Sequence, residues 1–177
     1  MPTLARSARR SAFAVSLALL ALTAGAATAG AADQTGASGV PAAQMRPEDL
    51  PGVPSQALES RLLVRGVDSN GNETVARRTV RAPGTRAPIH FHDHGGLTCV
   101  LEGEMTLYLA GAEPQRAAAG DCYYMPSGQQ MSGVNSGSVN AVLLDIFTVP
   151  EGTPVWRVVE EGMQGAQGQF SDKPPAK

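Results

Sequence analysis

Lysine is almost missing from this chain. The fourteen basic side chains include two lysines, Lys173 and Lys177, both in the tail. With a formal net charge of −2 there is no basic stripe of the kind that follows a phosphate backbone, so nucleic acid is excluded as a partner. Also lacking are a glycine-rich phosphate loop, a Gly-x-Ser-x-Gly elbow and an acid pair with telling spacing, so hydrolase readings have no support. Beyond the first thirty or so residues no segment sustains a 3.6-residue apolar period, which argues against a helical domain. Cysteine is limited to Cys99 and Cys122, and neither lies near residue 30, so nothing suggests a lipid anchor.

What is present begins with a leader. Arg6, Arg9 and Arg10 form a basic region, Ala12 to Leu22 an apolar one, and small residues with Ala-x-Ala spacing follow at Ala27 to Ala31. Residues 1–31 therefore read as a secretory signal peptide. The apolar run is shorter than the about 20 residues a membrane helix needs, so no membrane contact is expected once the leader is removed. Ordinary Sec export is preferred over twin-arginine export, whose spacing is matched imperfectly. Removal takes three arginines and no acid, which moves the formal charge from −2 to −5. The mature protein is expected outside the cytoplasm, where one Cys99–Cys122 disulfide is permitted. Two buried thiols, or thiolates on a soft metal, are the alternatives.

Residues 32–57, rich in Ala, Gly, Pro and Gln, read as a flexible approach segment. Residues 58–159 read as one domain of short strands. Ser60 to Val67 and Glu73 to Arg81 flank Asp-Ser-Asn-Gly-Asn, a strong hairpin turn. Further strands are expected at Ile89 to Asp93, Leu97 to Leu101, Met105 to Leu109, Asp121 to Met125, Gln130 to Asn135, Ala141 to Thr148 and Val155 to Val159, punctuated by Gly, Pro, Asn and Ser. Regular strands with such turns suggest a sandwich or barrel. Residues 160–177 turn polar and are expected to be disordered.

Every histidine falls within five residues, at His90, His92 and His94. Successive side chains of a strand alternate faces, so residues at i, i+2 and i+4 share one face and present three imidazoles to one point. Neutral imidazole is the commonest metal ligand, and a metal site is the reading preferred over a solvated polar strand. Tyr123, Tyr124, Met125, Phe147 and Trp156 read as core or strand-pairing residues.

These residues resemble the cupin family of small jelly-roll, double-sheet β-barrels. Its first motif, Gly, five residues, His-x-His, then Glu, six residues and Gly, is matched by Gly84, His90-Phe91-His92 and Gly103. Its second, Gly, five residues, Pro-x-Gly, two residues, His, three residues and Asn, is matched by Gly120, Pro126, Gly128 and Asn135. The resemblance spans about half of the mature chain and implies a single all-β, antiparallel cupin domain, with a homodimer as the expected assembly. Two departures bear on function. The family's Glu ligand falls on Gly96 and its third His on Met131. The expected site is therefore His90, His92 and Met131, with His94 available for the place left by Gly96. A thioether in place of a carboxylate favours copper, above all Cu(I), with zinc, iron or manganese as alternatives. The equally bland account of Met131 is a core filler.

Three functions follow as expectations: a secreted copper-holding protein, a metal-dependent oxidoreductase acting on a small organic substrate, and a metal-free barrel that binds a small ligand.

Overall fold

The computed structural model describes residues 44–170. The expected leader, residues 32–43 of the approach segment and residues 171–177 lie outside the described residues. In chain order the strands are β1 (Val53–Pro54), β2 (Glu59–Val67), β3 (Asn72–Arg81), β4 (Thr85–Arg86), β5 (His90–Phe91) and β6 (Gly96–Glu102). They continue as β7 (Glu104–Leu109), β8 (Gln115–Ala118), β9 (Cys122–Met125), β10 (Met131–Val134), β11 (Ala141–Pro150) and β12 (Arg157–Val158). A seven-stranded sheet runs β1-β4-β10-β5-β12, with β7 on β10 and β8 on β7; a five-stranded sheet runs β2-β3-β11-β6-β9. β1 is parallel to β4 and the other pairings are antiparallel. This is the all-β double sheet expected from the strand pattern.

The centre of the five-stranded sheet explains its sequence. β11 reads Ala-Val-Leu-Leu-Asp-Ile-Phe-Thr-Val-Pro and pairs along its length with β3 and along part of it with β6, so apolar residues prevail on both its faces. Leu143, Phe147 and Val149 share one parity and enter the core with Val75 of β3 and Val100 of β6. Each such side chain contributes about 1.5–3 kcal/mol on leaving water. The strand stops at Pro150, which has no N–H for a further ladder bond. The β2–β3 turn forms as expected: Asp68 Oδ1 accepts the Asn70 and Asn72 amides at 2.8 and 2.9 Å, and Gly71 takes the left-handed conformation (φ 77°) that closes it. Cys99 and Cys122 sit opposite each other on β6 and β9 and are disulfide-bonded.

Several expectations need correction. The strand expected over Ile89 to Asp93 is only His90–Phe91. The Gly95 N–H donates to His92 O at 3.2 Å and Gly95 has φ 74°, so the chain turns through Asp93 and His94 instead of extending. The short strands β1, β4 and β8 carry no alternating signal long enough to read. Order also reaches past both expected ends of the 58–159 domain. Before it lie β1 and a 3-10 turn at Pro47–Asp49. After it, Glu160 is buried on Arg86, and a 3-10 segment spans Gln164–Phe170. Gln167 explains why this polar segment is ordered: its side chain accepts from the Val158 N–H and donates to Trp156 O, while Ala166 joins the core. Side-chain amides replace the apolar stripe whose lack suggested disorder. Among the described residues no helix is long and apolar enough to cross a membrane.

Candidate metal centre

Between the sheets lies a cavity of about 50 Å³ to which both contribute. His90 on β5 and His92 just after it point into it and are 5% and 2% exposed. Their Nε2 atoms lie 3.1 Å apart, with rings nearly perpendicular at 85°. The other nitrogen of each ring faces a main-chain carbonyl: His90 Nδ1 is 2.7 Å from Pro88 O, and His92 Nδ1 is 2.6 Å from Val155 O. A carbonyl oxygen only accepts, so each Nδ1 carries the hydrogen and donates it. In a neutral ring that leaves Nε2 as a lone pair. Burial first, and then the neighbouring His92, hold His90 well below the usual histidine range; burial brings His92 down to about 4, against the opposing Val155 carbonyl. Two unprotonated nitrogens therefore face each other at a distance that would suit a hydrogen bond for which neither supplies the hydrogen.

Packing fixes this pair. His92 stacks on Phe147 of β11 with centroids 4.8 Å apart, and His90 meets Trp156 edge-on at 5.0 Å. Phe91 faces the other way, beneath the Arg157 guanidinium at 4.6 Å, and Arg157 also pairs with Asp93. Phe147 accounts for Gly96. A Cβ at residue 96 would come within 2.6 Å of two Phe147 ring carbons and 2.9 Å of Met125 Cε, so the aromatic ring and a thioether methyl fill the space that a carboxylate side chain would cross.

The four residues expected at the site are placed differently. His90 and His92 are brought together. Met131 is fully buried and registers directly opposite His90 across β10 and β5, a pairing that puts two side chains on one face, but it does not line the cavity. His94 is exposed in the turn and does not join the pair. Among the described residues no group of three or more His, Cys, Asp and Glu forms a ligand cluster.

The cavity also holds residues that sequence reasoning left in the core or did not single out. Met125, Phe147 and Trp156 line it. So does Asp145, whose Oδ2 and Oδ1 accept from the Thr79 and Thr98 hydroxyls, each at 2.6 Å. Burial pushes the Asp145 carboxyl up, against those two hydroxyls and the charges of Arg81 and Arg77. Burial likewise raises the Tyr123 phenol and lowers Arg81 to about 10. One signal was available: Asp145 is the single charged residue in the apolar run from Ala141 to Val149.

A family model described as a cupin domain matches residues 78–147. This chain carries a cupin domain. The matched segment holds both histidines, Met131, Asp145 and Phe147. Among solved structures, a Klebsiella pneumoniae protein with a double-stranded β-helix domain is 21% identical over 62% of this chain and 91% of its own, with a TM-score of 0.47. A Thermus thermophilus protein is 21% identical over 62% and 90%, with a TM-score of 0.45. An oxalate oxidase in complex with the substrate analogue glycolate is 21% identical over 57% and 54%, with a TM-score of 0.48. No curated protein matches the chain.

The residues of this cupin domain fit a metal ion in part. Two nitrogens each about 2.0–2.1 Å from one ion, at roughly 90–110° to each other, are about 2.9–3.4 Å apart, and the observed 3.1 Å falls within that span. Both Nδ1 hydrogens rest on carbonyls, the outer hydrogen bonds that orient ligating imidazoles. The carboxylate and third imidazole of the family pattern have no counterpart here.

Proposed function

We propose that this cupin domain holds one metal ion between His90 and His92, and that the ion is a soft one, copper ahead of zinc, iron and manganese. The observation that carries the reading is the pair of Nε2 lone pairs 3.1 Å apart, with both other ring nitrogens committed to carbonyls. A cation relieves their repulsion, and a proton is opposed by the burial of both rings. Preference for a soft ion is supported by what surrounds the pair. Gly96 brings no carboxylate, Met105 and Met125 line the cavity, and Met131 lies opposite His90. Thioethers favour Cu(I) over ions that seek oxygen. Asp145 in the same cavity supports the second reading, an oxidoreductase, since it supplies an acid–base group whose raised proton affinity suits proton transfer. Export from the cytoplasm is part of the proposal, supported by the leader and by a disulfide that persists in oxidising compartments.

Metal analysis of protein purified without chelator, followed by competition among Cu(I), Zn²⁺ and Mn²⁺, tests the assignment. Copper is expected to be retained preferentially, and His90→Ala or His92→Ala to abolish retention. Met131→Leu is expected to weaken copper while costing under about 1.5 kcal/mol of stability. If copper affinity is unchanged in that variant, Met131 is core filler and its place as a ligand fails. Metal content unchanged in both histidine variants would leave the metal-free ligand binder as the better account.

A further inference from the structure

Arg81 enters the cavity from β3, 4% exposed. Of its five N–H donors, the hydrogen bonding among the described residues uses only Nη1, to Ser55 O at 3.2 Å. The obvious partner, Asp145, accepts a short bond from a threonine on each of its oxygens, and although its charge acts on Arg81 the two make no direct ion pair among the described residues. Asp145 also stands opposite a second buried guanidinium, Arg77, across β11 and β3. Two buried positive charges thus share one carboxyl. Arg77 turns its Nε and Nη2 to Ser60 and does not line the cavity, so Arg81 is the cation that faces it.

Keeping a guanidinium buried among apolar side chains costs several kcal/mol unless a partner compensates it. The rest of the lining says what kind of partner fits. Leu107, Leu143 and Trp156 give the cavity apolar walls that a bare inorganic oxyanion would not match. A single water needs about 10–15 Å³ by this measure of volume, so about 50 Å³ holds roughly four such positions. A planar carboxylate matches the guanidinium fork in two parallel hydrogen bonds.

We propose that the cavity binds a small monocarboxylate of roughly four to six non-hydrogen atoms, its carboxylate on Arg81 and its short carbon chain against the apolar walls. The site shares the cavity with the histidine pair but does not depend on a metal being held there.

Calorimetric titration of the full chain, metal-stripped and metal-loaded, with acetate, its neutral isostere acetamide, and inorganic phosphate tests this. Acetate is expected to bind saturably at one site, and acetamide about tenfold or more weakly, since a hydrogen bond to a charged group is involved. Arg81→Met is expected to weaken acetate by about the same factor with metal content unchanged, and Arg81→Lys to recover part of the loss. Equal binding of acetate and acetamide by the unaltered protein overturns the proposal, and that arm needs no variant to fold. Phosphate binding as tightly as acetate, or acetate binding indifferent to Arg81→Met, also overturns it. Acetate binding that persists while no metal is retained sinks only the metal assignment, and metal retention without acetate binding sinks only this one.

Discussion

Of the three arginines buried in this domain, Arg86 and Arg81, at 2% and 4% exposure, are treated in opposite ways. Arg86 is paired with a carboxylate, and only its Nε is left without a hydrogen-bond partner. Glu160 meets it with two parallel bonds of 2.6 and 2.8 Å and takes the Ile89 N–H on Oε2 as well, at 2.7 Å. Arg81 has one long bond to a main-chain oxygen and a neighbouring carboxyl whose oxygens are held by threonines. The first arrangement is structural: it fastens the segment after Val159 to the strand segment leading into His90, and Pro88 O within that segment orients the His90 ring. The second leaves hydrogen-bonding capacity facing a cavity. Burial alone does not separate a structural charge from a functional one; whether a carboxylate is paired directly with it does.

The contrast is broken most directly at Glu160. Glu160→Ala leaves Arg86 buried without its carboxylate and is expected to cost about 3–5 kcal/mol in denaturant unfolding, whereas Arg81→Met is expected to cost about 1 kcal/mol, an ordinary point substitution. Equal losses would show that Arg81 is as structural as Arg86. A somewhat smaller effect is expected from acid in the metal-stripped protein. An unfolded histidine titrates near 6.5 and His92 in the fold near 4, so below pH 6.5 the unfolded chain takes up a proton that the fold refuses. Stability present above pH 6.5 should fall away as the pH drops toward 4, by about 3 kcal/mol for His92, and His92→Gln should flatten that slope in pH-dependent unfolding. Replacing Cys99 and Cys122 by serine is expected to cost a similar or lesser amount, about 3 kcal/mol, read as a lowered unfolding midpoint. Because the bridge lies on strands that carry Thr98, Tyr123 and Met125, looser acetate binding in the same variant would mean that the disulfide also shapes the cavity.

Much of this was written in one dimension. The Asp68 turn, the strands β2, β3, β6, β7, β10 and β11, and the pairing of His90 with His92 all depend on residues close in sequence, where alternation and turn chemistry act locally. The spacing from Gly84 to Gly103 and from Gly120 to Asn135 likewise carried the family resemblance, and with it the position of Met131 opposite His90. Other features needed the folded chain. His94 left the histidine face because a single glycine turns the backbone after His92, and strand parity holds only while a strand continues. The loss of the carboxylate at residue 96 is visible in the sequence, but its cause, the Phe147 ring lying where that side chain would pass, comes from a strand fifty residues away. Arg81, Asp145, Thr79 and Thr98 sit on three different strands, and no local pattern says that they meet, nor which of them uses up the hydrogen-bonding capacity of the others. Local periodicity determined which residues face inward; which of those touch, and which buried charge is left with donors to spare, was decided by the register of β3, β6 and β11, because a hydrogen bond is settled over about 3 Å of space and not by distance along the chain.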